Sequence, residues 1–456
     1  MLVPVGGGGG ASVTPVPHDQ PIDQQKVQLA VREASVNIPL NASNLANILT
    51  SPNWNLNQAE QDQVIKDLAR QGGLGSALEF YANDAARGNG DDYTSLQADE
   101  AVIGDAVQQA YADGAIDTHD LVHIADASQV PGGGGGQRFL DVLMQGGAAS
   151  EKGSAAEVLA DALWARNGNN GVDRAAAAMY YSSNALTMQN DLKTPAMREQ
   201  AFTALVNFNQ TGPYSGLPNN QLVTGWKNQA LAAEANLFAA NGQELTNELA
   251  PNGSTPDVLA QFFSQTVFNP SAQNIQLDDG STLKSDMHTA LQQVSSSLIG
   301  AAQQAKPPGG DTQTNLLSEY ANLYASLTAG AQLGIKNFNA QVQANDASRQ
   351  QFASLVGGAL GSVVPGVGSV AVGTAATDIA GSVLQALNKD PHDPAAAVQK
   401  ALHGEFEKEV TKLSAQSERA APQNSKSGVA AAVTGALRGT YSDTLSQLQT
   451  DLNIIQ

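Results

Sequence analysis

The residues with the most chemical promise are "HDLVH", His119 to His123, two imidazoles one helical turn apart. A histidine pair at this spacing can hold zinc when a glutamate between them serves as general base. Here Asp120 stands in the glutamate's place, one methylene shorter, and no third ligand follows in a convincing context. The same residues suit the opening turn of a helix, with Asp117 or Thr118 as its cap. The overlapping stretch "ADGAIDTHDL" has the outline of the second half of a calcium loop, with Gly114 at the sharp turn and Asp120 at the last ligand position. Counting back places Gln109 and Tyr111 where the first carboxylates belong, so a metal-free helix pair is expected. "GVGSVA", Gly366 to Ala371, matches a dinucleotide fingerprint, with Asp390 placed to meet a ribose. Such glycines work only between a strand and a helix, and here both flanks read as helix. No G-x-S-x-G elbow, P-loop lysine or paired-carboxylate site is present. Tyr180, Tyr181, Trp164 and Trp226 read as core aromatics. The expectation is a protein without catalysis, with no catalytic, metal-binding or cofactor-binding residue and no cofactor.

The elements that would position any chemistry are built from small residues. Hydrophobic residues make up 42% of the 456, but aromatics only 5% and charged residues 14%, so the excess lies in Ala, Gly, Gln, Asn and Ser. That mixture favours close helix packing joined by flexible loops. A formal charge of −20 without any Lys/Arg-rich run leaves nothing to grip phosphates, and nucleic acid is not an expected partner. The absence of Cys removes disulfides, thiolate nucleophiles and thiolate metal sites together. The first 25 residues carry no lysine or arginine and no apolar run of the length a Sec signal needs. Their Gly, Pro, Ser and Gln content predicts disorder over 1–43.

From about residue 44, apolar residues recur at helical spacing between Gly-, Asp- and Pro-rich breaks. This predicts an all-α chain in several helical bundles: an N-terminal module over 44–131, a central domain over 137–305 and a C-terminal domain over 311–456. "VPGGGGGQ" reads as a flexible joint between the first two, and "KPPGGD" breaks the chain again at 306–311. Thr194 before Pro195 and Thr255 before Pro256 are helix starts. "NIQLDDGSTL" carries the one β signal, alternating apolar residues around an Asp-Gly turn, and predicts a small hairpin. Leu316, Tyr320, Leu323, Tyr324 and Leu327 form the stripe of a packed surface helix. Val398, Leu402, Phe406, Val410 and Leu413 form a second stripe. The nearly heptad tail from Leu437 to Ile455 calls for a partner helix, in this chain or in another copy, which leaves room for a homo-oligomer.

One segment stands apart. Residues 350–377 contain no charged side chain, and Pro365-Gly366 in their midst is a natural turn, so 352–387 is expected to form a glycine-rich helical hairpin. Its arms, 352–364 and 369–387, would be about 20 Å and about 28 Å long, against a hydrocarbon core of about 30 Å. Ala353, Gly357 and Gly361 lie four apart on the first arm, and Ser369, Gly373, Thr377 and Gly381 on the second. Each row strips bulk from one helical face and lets backbones approach, a device of membrane helix pairs that serves equally inside a water-soluble bundle. Ile379 and Val383, with Val372, Leu384 and Leu387, lie mostly off the second row and need an apolar surface, either protein or lipid. The glycines make both arms weak in isolation, which suits a segment that changes environment. The residues that would carry such contact are Gly357, Gly361, Pro365, Gly366, Gly373, Ile379, Gly381 and Val383.

The stretches "EVLADALWARNGNNGVDRAAAAMYY", "FNQTGPYSGLPNNQLVTGWKNQALAAEANLFAANG" and "LAPNGSTPDVLAQFF", followed by a glycine-rich apolar region, resemble the HrpK/HrpF group of type III secretion translocators of plant-associated bacteria. The resemblance covers about 45–456 in arrangement, is strongest over 155–305, and rests on texture rather than on a diagnostic motif. It implies a secreted protein that helps effectors cross the host plasma membrane. The implied partners are other translocon or secretion components and, through the C-terminal hydrophobic region, host membrane lipid. The chain departs from the pattern in having one apolar region rather than two clear spans.

Overall fold

A computed structural model of the chain describes residues 21–36, 42–71, 73–75, 93–128, 135–146, 151–166, 171–183, 185–211, 221–249, 257–277, 280–337, 345–364 and 369–454. Among them the fold is all α, with no strand. The described residues fall into two compact units. One takes those up to Lys193 together with Ala201–Ala233, and the other takes Thr194–Gln200 and those from Glu234 onward. The segment 137–305, read from sequence as one domain, therefore contributes to both.

The first unit holds α1 (Gln24–Val36), α2 (Ala42–Thr50), α3 (Gln58–Arg70), α4 (Tyr93–Ala112), α5 (Thr118–Ala127), α6 (Gly135–Met144), α7 (Ala155–Ala165), α8 (Gly171–Tyr181) and α9 (Ala185–Asp191). Helix α1 corrects the expectation of disorder over 1–43 for residues 24–36, while residues 1–20 lie outside the described residues. Val27, Ala30, Val31 and Ala34 put small apolar groups on one face, which packs on α3. The entry to α1 is tied down as well: Glu60 accepts from the Asp23 backbone N–H at 3.1 Å and pairs with Lys26 at 2.7 Å. That carboxylate also closes the capping box of α3 with Asn57. Burial opposes its charge, yet the Lys26 and backbone hydrogen bonds prevail and hold its pKa below the ordinary value.

The break around "VPGGGGGQ" is narrower than expected, because α6 already begins at Gly135. This brings Arg138 into the unit's interior, wholly buried, where it pairs with Glu100 of α4 and lies 3.4 Å from Asp141. Gln145 and Gln229 donate to these two carboxylates at 3.4 and 3.0 Å. Removing one partner from such a buried group costs far more than the pair contributes, so the cluster fixes how α4 and α6 meet. The N-terminal module and the start of the central segment are thereby one body.

The second unit is built around a long helix. Its elements are the first turn of α10 (Pro195–Thr211), the C-terminal part of α11 (Gln221–Glu248), α12 (Asp257–Gln265), α13 (Leu283–Gln304), α14 (Asp311–Asn337), α15 (Asp346–Val363), α16 (Ser369–Lys389), α17 (Pro394–Ala420) and α18 (Lys426–Asp451). Helix α14 is not the surface helix its stripe suggested. From Leu323 to Gln332 every residue is buried, because Ala325, Ser326, Thr328, Ala329, Gly330 and Ala331 are small enough for neighbours to close over the remaining faces. Helices α12, α13, α15, α17 and α18 all pack on it. The nearly heptad tail thus finds its partner helices, α14 and α17, in the same chain. The stripe Val398, Leu402, Phe406, Val410 and Leu413 is buried as expected.

The predicted β-hairpin contracts to one antiparallel bridge, Gln276 with Thr282, closed by Leu277 N–H to Ser281 O at 3.0 Å and Leu283 N–H to Ile275 O at 2.9 Å. Thr282 then caps α13 and ends any further pairing. Helix α10 starts at Pro195 with the Thr194 hydroxyl accepting from Met197 N–H at 3.2 Å, as its sequence predicted. Thr255 and Pro256 lie outside the described residues.

Candidate functional site

The hairpin is present as α15 and α16, and its contact is made by backbone. A Cβ placed on Gly357 would lie 2.3 Å from the Ala376 carbonyl oxygen and 2.7 Å from the Ala380 Cβ. One on Gly361 would lie 2.8 Å from the Ala376 Cα. These two glycines, one turn apart, cut a notch in α15 that receives the Ala376–Ala380 turn of α16. No larger residue at 357 or 361 leaves room for it.

The second expected row does not share this contact. Thr377 and Gly381 are exposed, and a Cβ on Gly381 would meet nothing within 4 Å. Ser369 and Gly373 belong to α16, but their surroundings lie outside the described residues, as do Pro365 and Gly366 altogether. The reason is angular. Ile379, Val383 and Leu387 are buried and fix which side of α16 faces inward. At about 100° per residue, 377 and 381 stand about 160° around the helix from Ile379. Ala376 and Ala380 stand about 60° and about 100° away and can reach the notch. The outward face of α16 carries Thr374, Thr377, Asp378, Gln385 and Asn388, all exposed.

The hairpin docks on three helices. On α15, Phe352, Leu355, Val356, Leu360 and Val363 are buried. A Cβ on Gly334 of α14 would lie 3.7 Å from Phe352. The Ser295 hydroxyl of α13 donates to Ser362 O at 3.4 Å, and the Ser382 hydroxyl of α16 donates to Glu405 of α17 at 2.8 Å. His288 of α13 rests on Gly358, where a Cβ would fall 2.8 Å from its Cε1. Burial, then the positive charge of Lys284, lowers the pKa of this imidazole below 6.5. Sequence periodicity could not pair His288 with Gly358 or choose Ala376 over Thr377, because each choice depends on which faces meet.

The other motifs resolve as structural. Asp117 and Asp120 are joined in a capping box on α5, with Asp117 Oδ1 accepting from Asp120 N–H at 3.0 Å and Asp120 Oδ2 from Asp117 N–H at 3.2 Å. Asp117, His119 and Asp120 bring ligand atoms within 4.8 Å of one another, but His123 is not among them. Asp120 also lies 3.6 Å from Arg70, so both carboxylates already have partners. Gly114, at φ +72°, makes the turn before the cap. "GVGSVA" runs into α16 and follows α15, so the strand a dinucleotide fingerprint needs does not precede it. Tyr180 and Tyr181 are buried in the first unit, Tyr181 donating to Asp161 at 2.8 Å and meeting Trp164 edge to face.

Among the described residues, no helix is long and apolar enough to cross a membrane. No family model, curated protein or solved structure matches this chain.

Proposed function

We propose that the protein acts by contact and without catalysis, as a secreted, translocator-like component that assists effector delivery across a host plasma membrane, with α15–α16 as its contact arm. The likeness to type III translocators supplies the biological setting. The observation that carries the mechanism is the glycine notch: Gly357 and Gly361 let the Ala376–Ala380 turn close onto α15, so the two arm helices are joined by backbone approach and form one arm. Leaving the dock uncovers Phe352, Leu355, Val356, Leu360 and Val363 together with Ile379, Val383 and Leu387, so a lasting release calls for another apolar surface to receive them. The expected partners are other secretion or translocon components and, at the arm, lipid.

A second reading is that the arm stays docked and the protein is a secreted helical effector or interaction protein. The polar outward face of α16 and the lack of a spanning helix among the described residues favour it. Delivery of a reporter effector by a strain exporting the chain without 352–387 tests the arm's role; delivery should fall sharply, and unchanged delivery removes the proposal. Flotation of the purified protein with anionic vesicles then separates the readings. Co-flotation with the arm becoming protease-accessible supports release, whereas a resistant arm with and without vesicles supports the docked reading.

A further inference from the structure

We propose that His288 is an acid-sensitive latch that holds the α15–α16 arm docked when its imidazole is neutral and releases it when the ring gains a proton. The proposal rests on the contact-arm reading and adds its regulation. The geometry is specific. His288 projects from the second turn of α13 onto α15 where Gly358 offers no side chain, and the ring occupies the space a Cβ would need, 2.8 Å from Cε1 and 3.1 Å from Nε2. Among the described residues no hydrogen bond reaches either ring nitrogen. An imidazolium has two N–H donors to satisfy, and the wall it meets is glycine on a helix whose backbone is already bonded within itself.

No carboxylate stands ready to receive that charge. On α13 the charged residues are Lys284 and Asp286, and Lys284, one turn before the ring, is the one whose charge acts on it, unfavourably. On α15 the charged side chains are Asp346 and Arg349, paired with each other at 2.7 Å more than two turns from Gly358. On α14, Glu319 accepts from the Asn247 amide and Lys336 donates to Asn453 O, while Asp311 lies in the first turn. On α11, Glu244 is held by Arg198. The half-buried ring meets the demand of an added proton by turning further into water, which takes away part of the surface on which α15 rests.

The direction of the pH effect follows from the same contacts. Burial first, and Lys284 second, hold the docked ring's pKa below the 6.5 of a free histidine, so the docked arm binds fewer protons than the released one. The latch contributes fully above pH 6.5 and is lost as pH falls through the lower value of the docked ring. Histidine is the side chain whose ordinary titration lies in this range.

Hydrogen exchange of the full-length protein at about pH 7.5 and about pH 5.5, corrected for intrinsic exchange, reads this directly. Peptides from 346–389 should lose protection severalfold at the lower pH, while those from 426–451 hold theirs. His288→Gln should flatten the response of the arm, and the exposed His392→Gln should leave it intact. Gly358→Ala, which turns the ring outward, should flatten it too, and this variant decides the matter if His288→Gln does not fold. An unchanged pH response in either latch variant, or a loss of protection shared equally by α18, overturns the proposal. No vesicle or secretion partner enters the measurement, so failure of the latch and failure of the contact-arm reading are separate results.

Discussion

Two contacts in the second unit show opposite ways of joining helices. Between α15 and α16 the contact is glycine against alanine, backbone to backbone. Where α14, α17 and α18 meet, it is ring against ring: Phe406 stacks on Tyr441 at 4.1 Å, Tyr324 lies 5.0 Å from Phe406, and His403 covers Tyr441 at 5.8 Å. Tyr320 and Tyr324 are buried so fully that their phenols lie well above the ordinary pKa of 10, and burial pushes Tyr441 up to about 12. Aromatic rings remove large apolar areas from water and favour tilted or stacked pairs, whereas glycine contributes conformational entropy to the unfolded chain and no side-chain burial. The aromatic junction is held by side-chain burial, and the glycine junction by close approach of backbones.

The sharpest way to break the contrast is at the anchor. Phe406→Ala empties the space between Tyr324 and Tyr441 and should cost about 3–5 kcal/mol. A urea titration followed by circular dichroism should show a lowered midpoint, and hydrogen exchange should report loss across α14, α17 and α18 together. A loss confined to one of these helices would mean that the junction is not a single cooperative element.

Substitutions at the glycine junction should act locally. Gly357→Val drives a side chain into the Ala376 carbonyl, 2.3 Å from the Cβ position, and overpacking of this kind costs about 1–3 kcal/mol. The expected result is faster exchange across α15–α16, with the aromatic junction unchanged. Gly381→Ala, on the open face of α16, should instead stabilise by about 0.5–1 kcal/mol by raising helix propensity without a clash. Equal effects of the two would show that the notch is not what sets the approach of the arms.

The same contrast explains what could be read in advance. Stripes of large side chains are visible at a distance, so the α17 face from Val398 to Leu413 was legible, as were the cap of α5 and the Thr194-Pro195 start of α10. Faces made of small residues carry no such contrast. Helix α1 buries only Val27, Val31 and two alanines and reads as a polar linker. The middle of α14 is surrounded because its other faces are alanine, glycine, serine and threonine, which look alike whether buried or exposed. In α16 two candidate rows of small residues lie side by side, and only the burial of Ile379, Val383 and Leu387 decides between them. The existence of the two arm helices was therefore legible, while the start of α15 at Asp346 rather than 352, the register of the arm and its contact with His288 were not.

The smallest expected effect bears on a buried carboxylate beside the anchor. Glu409 on α17 is buried near the tyrosines, and its Oε2 has no hydrogen-bond partner among the described residues. Burial raises its pKa above 4.5 against the opposing pull of Lys412, 3.6 Å away. The folded protein therefore binds this proton more tightly than the unfolded chain does. The resulting stabilisation is fully present below pH 4.5 and is lost as pH rises through the higher folded value. Glu409→Gln keeps the shape and removes the charge, so thermal unfolding near neutral pH should move upward in the variant, and the difference should close as pH falls toward about 4. A lowered Tm at neutral pH would mean that the Lys412 contact outweighs desolvation. The aromatic junction would then hold a stabilising ion pair rather than a buried charge it merely tolerates.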